Sequence, residues 1–306
     1  MFYLPPRRQT VRRSSSLVLL GLVAACSPRT LALVELYSDG ASAPTSIDGN
    51  SGDSSNSISS DGRPAPTSID GDLGDSSHDA PPPSVSAGLV GLWHFDDGVG
   101  SQVARDSSGN SNHGTLVGLD PAQAWVAGRW GGALATNGVG YATVPQSASI
   151  SAIATGVTVS AWVYLDGVIA ANGFGVAIAR QVRLTDLQYY HLSLTTGGVP
   201  SLSIGLSPKV IPFQALATTP IAPRTWTHLA GTYDGKVAVL YVDGVTIDST
   251  SYAGLFNPDS ITPVLLGANG GNAGTGDCFP GRIDEIALYD RALSPEEIRL
   301  LATAPP

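Results

Sequence analysis

The sequence has few charged residues and almost no cysteine. Only 13% of its 306 residues are charged, and two cysteines leave room for one disulfide bond at most. The low charge, with 36 glycines and 22 prolines, departs from the composition of an ordinary soluble domain. The composition therefore indicates several kinds of segment joined in one chain.

The N-terminal region lacks an apolar run long enough to cross a bilayer. Four arginines precede an apolar run from Leu17 to Ala25, and small residues lead up to Cys26. This order is typical of a secretory targeting segment, so residues 1–25 are predicted to be a signal peptide. An ordinary signal peptide, cut without lipid attachment, is one interpretation of this segment.

The end of the targeting segment favours a second interpretation. Val23-Ala24-Ala25-Cys26 resembles the lipobox of bacterial lipoproteins, which implies that Cys26 is lipidated and becomes the new N-terminus. Ser27, rather than an acidic residue, follows the cysteine, and by the same resemblance this favours the outer membrane of the bacterial cell envelope. If Cys26 carries lipid, Cys278 has no partner in the chain and is expected to be a small, semi-buried side chain.

Basic residues are scarce after the predicted cleavage. The whole chain has a formal net charge of −9, and without residues 1–25 it has 12 basic and 25 acidic residues, a formal net charge of −13. Such a chain does not attract nucleic acid or an anionic membrane surface. The predicted contact with the membrane is therefore the lipid anchor alone.

Large apolar residues are rare in residues 26–86, which consist mainly of Ser, Asp, Gly and Pro. Such a segment cannot bury enough surface to offset the entropy lost on ordering, so a disordered linker is predicted. The linker contains a repeat with a period of 22 residues, in which APTSIDGNSGDSS begins at Ala43 and APTSIDGDLGDSS at Ala65. Two copies with so few apolar residues cannot build a stacked core, so a duplicated linker is the preferred interpretation.

Helical patterns are nearly absent from residues 87–306, where short runs alternate apolar and polar residues, as in VTVSAWVYL at 157–165. Asp234-Gly235 and Asp243-Gly244 each lie between apolar runs and predict a three-stranded meander. One helix is predicted near the C-terminus, because Ser294, Pro295 and Glu297 match a capping box with proline at the first helical position. With no βαβ alternation, the sequence predicts an all-β domain, a two-sheet antiparallel sandwich with one short C-terminal helix.

Five segments in order resemble the signatures of the laminin-G-like jelly-roll domain of the concanavalin A-like lectin/glucanase superfamily. The resemblance covers residues 88–303 and rests on GLVGLWHFDDGVGSQVARDSSGNSNHGTLVG, GRWGGALATNGVGYATVP, VTVSAWVY, RTWTHLAGTYDGKVAVLYVDG and FPGRIDEIALYDRALSPEEI. It implies a jelly-roll sandwich that binds a ligand, often a carbohydrate and often with calcium. Thr136-Asn137-Gly138 departs from the family pattern, which usually has Phe-Asp-Gly there.

Carboxylates suited to catalysis are few. The predicted domain has three glutamates, of which Glu296 and Glu297 lie on the predicted helix. Asp284 and Glu285 are neighbours on a predicted strand, so they are expected to point to opposite faces and not to work as a pair. Hydrolases of the superfamily need two carboxylates beside the sugar. The chain is therefore predicted not to be an enzyme, although a glycoside hydrolase remains an alternative.

Histidines in the domain lack the surroundings of a nucleophilic or zinc site. His228 lies in a strand signature of the resembled family and is expected to be structural, with its polar tip hydrogen-bonded. Calcium is the cofactor that the residues favour, because hard cations take carboxylate and amide oxygens. Four candidate ligands are expected to come together where the first and last strands meet: Asp96, Asp106, Asn110 and Asp284. The alternative is that Asp106 and Asn110 form a turn and that Asp284 bonds backbone amides.

Carbohydrate binding would need aromatic rings at the surface. Trp93, Trp162 and Trp226 fall in apolar strand signatures and are expected in the core. Less regular segments hold further candidates for contact with sugar: Trp125, Trp130, Tyr189, Tyr190, Phe213, Tyr252 and Phe256. The sequence thus predicts a lipid-anchored surface protein that recognises a glycan or a surface protein, with an interaction module lacking sugar affinity as a further alternative.

Overall fold

The fold is described from a computed structural model. The structure describes residues 85–167, 169, 174–182, 187–206, 213–256, 262–269 and 278–304. The predicted signal peptide, the predicted lipidation site Cys26 and nearly all of the predicted linker lie outside these residues. The elements below are numbered in chain order.

Within the described residues, sixteen strands form two antiparallel sheets of eight strands each. Sheet A has the order β14-β13-β12-β7-β16-β5-β4, with β1 also paired to β16. Its strands are β1 (Leu89–Trp93), β4 (Trp125–Ala127), β5 (Gly132–Ala135), β7 (Val157–Leu165), β12 (Trp226–Tyr233), β13 (Val237–Val242), β14 (Val245–Ser251) and β16 (Gly281–Tyr289). The pairing of β1 with β16 confirms the prediction that the first and last strands lie together.

Sheet B has the order β11-β10-β9-β8-β15-β6-β3-β2. Its strands are β2 (Val103–Ala104), β3 (Gly114–Val117), β6 (Tyr141–Val144), β8 (Gly175–Val182), β9 (Leu187–Thr195), β10 (Val199–Ile204), β11 (Phe213–Leu216) and β15 (Val264–Leu266). The two sheets enclose the main core, so the predicted antiparallel sandwich is confirmed.

Side-chain alternation along β7 shows how the sequence selects the two faces of sheet A. Val157, Val159, Ala161, Val163 and Leu165 belong to the main core between the sheets. The residues between them therefore point to the outer face, because successive side chains in a strand alternate. Trp162 and Tyr164 lie on this outer face.

The meander β12-β13-β14 is confirmed, and its two Asp-Gly sites form different turns. Asp243 and Gly244 have φ angles of 49° and 76°, as a two-residue hairpin turn requires. The first turn has three residues between β12 and β13, and Asp234 Oδ1 accepts hydrogen bonds from Lys236 N and Val237 N. The aspartate therefore closes this longer turn through its side chain.

Helix α2 (Pro295–Thr303) begins with the predicted capping box, in which the Ser294 side chain accepts from Glu297 N and the Glu297 side chain accepts from Ser294 N. It packs Ile298 and Leu301 against Tyr289 on the outer face of sheet A, in a second core. A single helical turn, α1 (Ala148–Ser151), was not predicted; Ser147 caps it, and four residues are too few to give a periodic signal.

Candidate functional site

A bulge in β16 sets the directions of Asp284 and Glu285. The register of β16 against β7 shifts between Asp284 and Ala287, and Glu285 has a φ of 46°, in the left-handed region. Such a bulge interrupts the alternation of side chains. The prediction that these two carboxylates point to opposite faces rested on regular alternation, which does not hold at this point.

Asp284 is fully buried and holds the turn between β4 and β5. Its Oδ2 accepts hydrogen bonds from Arg129 N at 2.7 Å and Trp130 N at 3.2 Å, and its Oδ1 accepts from Glu285 N at 2.8 Å. Burial raises the pKa of Asp284 to about 7, and the amide of Trp130 acts in the opposite direction. The carboxylate thus serves as an anchor for backbone amides, as the alternative to calcium binding predicted.

Gly128 allows the β4–β5 turn to approach Asp284. A Cβ at this position would lie 2.6 Å from Asp284 Oδ2 and would also collide with the carbonyl oxygen of Gly132. Glycine is therefore the residue that lets this backbone pass so close to the carboxylate. On the other side of the turn, the Asp96 carboxylate accepts a hydrogen bond from Gly132 N.

Glu285 is buried, and its Oε2 lies 2.7 Å from His94 Nδ1. The hydrogen bond to Glu285 raises the pKa of His94, while partial burial lowers it. His94 also lines an open cleft of about 370 Å³ together with Phe95, Asp96, Asp97, Arg105 and Ser107. Arg105 and Asp97 are paired there, with Nε and Oδ1 3.4 Å apart.

The four predicted calcium ligands do not share one site. Asp106 accepts hydrogen bonds from the amides of Leu92, Ser108 and Asn112 and from the Ser108 hydroxyl. Asn110 donates to the carbonyl oxygens of Leu89 and Val90, so both residues close their own loop against β1.

Asp96 and Asp284 instead lie at the β4–β5 turn, and the described residues contain no group of three or more acidic, histidine or cysteine side chains suited to a metal ion. The residues do not fit a shared calcium site. Calcium binding by the protein stays a prediction.

The outer face of sheet A carries a row of three side chains that the sequence did not place together. Arg282 of β16, Tyr164 of β7 and Trp226 of β12 are directly paired across three adjacent strands. Directly opposed residues share a face of the sheet. The Tyr164 and Trp226 rings lie 5.4 Å apart, and the Arg282 guanidinium lies 4.7 Å from the centre of the Tyr164 ring.

A second row lies two residues further along the same strands, at a strand rise that places it about 7 Å away. Trp162 stands here between Asp284 and His228. The Trp130 ring meets the Trp162 ring edge-on, with centroids 5.1 Å apart, and the Arg129 guanidinium lies 5.1 Å and 4.8 Å from the two ring centres.

These two rows lie on the outer face of sheet A, and we call their aromatic and arginine residues the aromatic strip: Trp130, Trp162, Tyr164 and Trp226 with Arg129 and Arg282. Arg129 is exposed, and Trp130, Tyr164, Trp226 and Arg282 are partly exposed. Helix α2 bounds the strip, because Trp162 Nε1 donates to the carbonyl oxygen of Leu301 at 3.4 Å.

The prediction that Trp226 belongs to the core is wrong, because Trp226 is partly exposed on the outer face of sheet A. Trp93 and Trp162 are buried as predicted, Trp93 in the main core and Trp162, 5% exposed, on the side of sheet A that faces away from it. A strand of sheet A has two largely apolar faces, and its sequence does not say where α2 stops covering the outer one. To place Trp226 beside Tyr164 on the outer face, one needs the pairing register of three strands, which the sequence alone does not give.

His228 is structural, as predicted. It is fully buried beneath the aromatic strip, and its Nε2 lies 2.8 Å from the Ser160 hydroxyl. Burial lowers its pKa to about 3. Imidazole is therefore neutral here at physiological pH.

Cys278 is 6% exposed, as expected of a small buried side chain. It forms a disulfide bond, contrary to the expectation that it has no partner. The bonded cysteine is not among the described residues.

No helix in the described ranges combines the length and apolarity that a bilayer crossing needs. This finding concerns those ranges alone.

Solved structures with the same fold include a domain in complex with a sugar. Domain 4 of an extracellular arabinanase from Geobacillus stearothermophilus, in complex with arabinotriose, is 24% identical with a TM-score of 0.54, over 70% of this chain and 98% of that one. The binding domain of Paraclostridial Mosquitocidal Protein 1 is 20% identical, with a TM-score of 0.52, over 72% of this chain and 52% of that one.

A Trypanosoma rangeli sialidase is 22% identical, with a TM-score of 0.53, over 72% of this chain and 33% of that one. No curated protein matches the sequence. At these identities the structures establish the fold alone. The family model for the concanavalin A-like lectin/glucanases superfamily matches residues 136–299, more than half of the chain, and the protein therefore belongs to that superfamily.

Proposed function

We propose that this protein is a non-catalytic carbohydrate-binding protein of the bacterial cell surface and that the aromatic strip is its ligand-binding surface. The observation that carries the proposal is the row of Arg282, Tyr164 and Trp226, partly exposed across three adjacent strands on the outer face of sheet A. Together with the Trp130–Trp162 pair, this row continues up to α2.

The chemistry of the strip suits a sugar chain. The C–H face of a pyranose or furanose ring packs on an aromatic ring, while its hydroxyl groups need hydrogen-bond partners. Tryptophan, tyrosine and arginine supply both, which is one reason they dominate the energetics of binding surfaces. Because Trp226 and Tyr164 lie on strands, their positions are largely fixed before the ligand arrives, which lowers the entropic cost of binding.

The fold neighbours support binding to a glycan or a protein. The arabinanase domain was solved with arabinotriose, and a botulinum neurotoxin binding domain, 12% identical with a TM-score of 0.54, with synaptotagmin. We favour a glycan because the strip combines several aromatic rings with guanidinium groups. A protein partner is the alternative outcome of the experiment below.

A non-catalytic role is supported by the environment of the carboxylates. Asp284 accepts three backbone N–H groups, and Glu285 is paired with His94. Both carboxylates therefore have structural partners rather than a free path to a bound sugar.

Glycan binding by the purified full chain is expected to depend on Trp226. On an array of oligosaccharides, Trp226→Ala is expected to weaken binding by about 10- to 100-fold, because loss of one stacked ring at a binding surface costs about 1.5–3 kcal/mol. Phe174→Ala serves as the matched control, since Phe174 is a 41% exposed aromatic residue preceding β8 of sheet B.

Three results would contradict the proposal in different ways. Wild-type protein that binds no glycan removes carbohydrate binding and leaves a protein partner. An equal loss of glycan binding in Trp226→Ala and Phe174→Ala would show that the aromatic strip is not the ligand-binding surface. Hydrolysis of a bound polysaccharide, with turnover abolished in Glu285→Gln, would replace the non-catalytic role by a glycoside hydrolase.

Anchoring to the membrane through lipid on Cys26 is part of the proposal, and it requires a form of the protein in which Cys26, the only other cysteine of the sequence, is not the disulfide partner of Cys278. In a bacterial host we expect the mature protein to lack residues 1–25, to carry the mass of acyl chains and to sediment with membranes, while Cys26→Ala is expected to stay unlipidated. Intact mass spectrometry of the purified protein measures this. Unlipidated protein with a Cys26–Cys278 disulfide would contradict the anchor, because the Cys26 sulfur cannot carry both bonds.

A further inference from the structure

The guanidinium group of Arg129 is held at the strip by two indole rings. Its carbon lies 5.1 Å from the centre of the Trp130 ring and 4.8 Å from that of Trp162. A cation over an aromatic face is attracted by the ring quadrupole, and arginine does this without giving up its in-plane N–H donors. The backbone of Arg129 is fixed as well, because its N–H donates to the buried Asp284.

Arg129 makes no ion pair with the residues that the structure describes. Their arginine ion pairs join Arg105 to Asp97, Arg282 to Asp166, Arg291 to Glu297 and Arg299 to Glu296. Arg129 is also exposed. Its donors are therefore positioned at the ligand surface and are available to an acceptor from outside.

Arg282 supplies a second guanidinium group to the same surface. It lies over Tyr164, and its Nη2 is 3.6 Å from Asp166 Oδ1, with side-chain exposures of 35% and 38%. A partly exposed pair at this distance contributes little, so Arg282 can exchange Asp166 for another carboxylate at small cost. Two cationic groups thus belong to the aromatic strip.

We infer that the strip selects acidic glycans, those with carboxylates such as uronic acids, and that Arg129 is the residue that recognises the charge. This inference rests on the proposed function and names its ligand class. Arginine binds a carboxylate through two parallel N–H donors, which gives geometric specificity as well as affinity. The negative net charge of the chain does not oppose this strongly at physiological ionic strength, because charges beyond about 8 Å are largely screened.

Oligogalacturonate and its methyl ester test the inference, since the two share the sugar chain and differ only at the carboxyl group, which is charged in the acid and neutral in the ester. Calorimetry with the full chain is expected to show the acid bound at least about 10-fold more tightly than the ester. Arg129→Gln is expected to remove this preference, because it weakens binding of the acid far more than binding of the ester. Lys236→Gln removes the same charge at the far end of β12, from an exposed site, and is expected to keep the preference.

A panel of other acidic glycans, each with its neutral counterpart, guards against a wrong choice of sugar. Melting temperatures of both variants confirm that they are folded. Equal affinity for every acidic and neutral pair would overturn the inference and leave carbohydrate binding in place. An equal loss of both forms in Arg129→Gln would overturn the role of Arg129. Binding of no glycan at all would remove the proposed function together with the inference.

Discussion

Asp284→Ala is expected to lower the free energy of unfolding by about 3 kcal/mol or more at pH 8. The change removes the acceptor of three backbone N–H groups, those of Arg129, Trp130 and Glu285, at a fully buried position. A buried donor left without a partner costs about 1–3 kcal/mol, and water entering the vacated space recovers part of the sum. Urea denaturation of the full chain, monitored by tryptophan fluorescence, measures the difference.

Two comparison variants make this prediction specific. Asp284→Asn keeps one acceptor oxygen and is expected to fall between wild type and Asp284→Ala. Glu296→Ala removes an exposed carboxylate paired with Arg299 on α2, and is expected to cost less than about 0.5 kcal/mol. If Asp284→Ala also cost less than about 0.5 kcal/mol, the β4–β5 turn would not depend on the Asp284 carboxylate.

The same measurement separates the anchoring role of Asp284 from a calcium site. If the carboxylate serves the amides alone, millimolar calcium or a chelator will leave the difference between wild type and Asp284→Ala unchanged. Calcium that stabilises wild type, a gain lost in the variant, would restore the calcium prediction.

Acid is expected to destabilise the protein through His228. The pKa of this imidazole is about 3 in the folded protein and near 6.5 when it is unfolded, so folding requires the neutral form. The contribution to stability is full above pH 6.5 and is lost as the pH falls toward 3. Each unit of pKa difference corresponds to about 1.4 kcal/mol, so the loss reaches several kcal/mol.

Unfolding free energies of wild type and His228→Asn, measured from pH 7.5 to pH 4, isolate this contribution. The gap between the two proteins is expected to narrow as the pH falls. His191→Asn provides a graded comparison, because burial lowers the pKa of His191 to about 4 and the effect has the same sign. A gap that stays constant with pH would show that His228 accepts a proton in the folded state.

Asp284 acts in the opposite direction over part of this range. Its pKa is raised from 3.8 to about 7, so its contribution to stability falls as the pH rises through that window. The pH profile of wild type alone therefore mixes both groups. Differences between each variant and wild type keep them apart.

The sequence predicted what local chemistry determines. Asp243-Gly244 formed its hairpin and Ser294 its capping box, because each depends on neighbouring residues alone. The bulge at Asp284 and Glu285 was missed because a bulge needs one extra residue relative to a partner strand, which the sequence of a single strand does not reveal.

The aromatic strip was missed for a related reason. Arg282, Tyr164 and Trp226 are far apart in the sequence, and only the register of β16, β7 and β12 makes them neighbours. The apolar signature around Trp162 and Trp226 favoured the core, because the extent of the cover provided by α2 is a tertiary property. Trp130 was a candidate from its place in an irregular segment, but its ring partner Trp162 was not.

Asp284 makes the two rows of the aromatic strip differ in how freely their residues can change during evolution. The second row, which contains Trp162 and the Trp130 ring packed on it, depends on the Asp284 carboxylate. That carboxylate also fixes the β4–β5 turn, which tolerates no side chain at Gly128. Substitutions of Asp284 or Gly128 are therefore expected to reduce the stability of the fold before they could change which ligand the strip binds. Tyr164, Trp226 and Arg282 form the first row, and none of them holds the β4–β5 turn. In relatives that bind other ligands, we therefore expect the residues of the first row to differ. We expect the aspartate at position 284 and the glycine at position 128, which support the second row, to be retained.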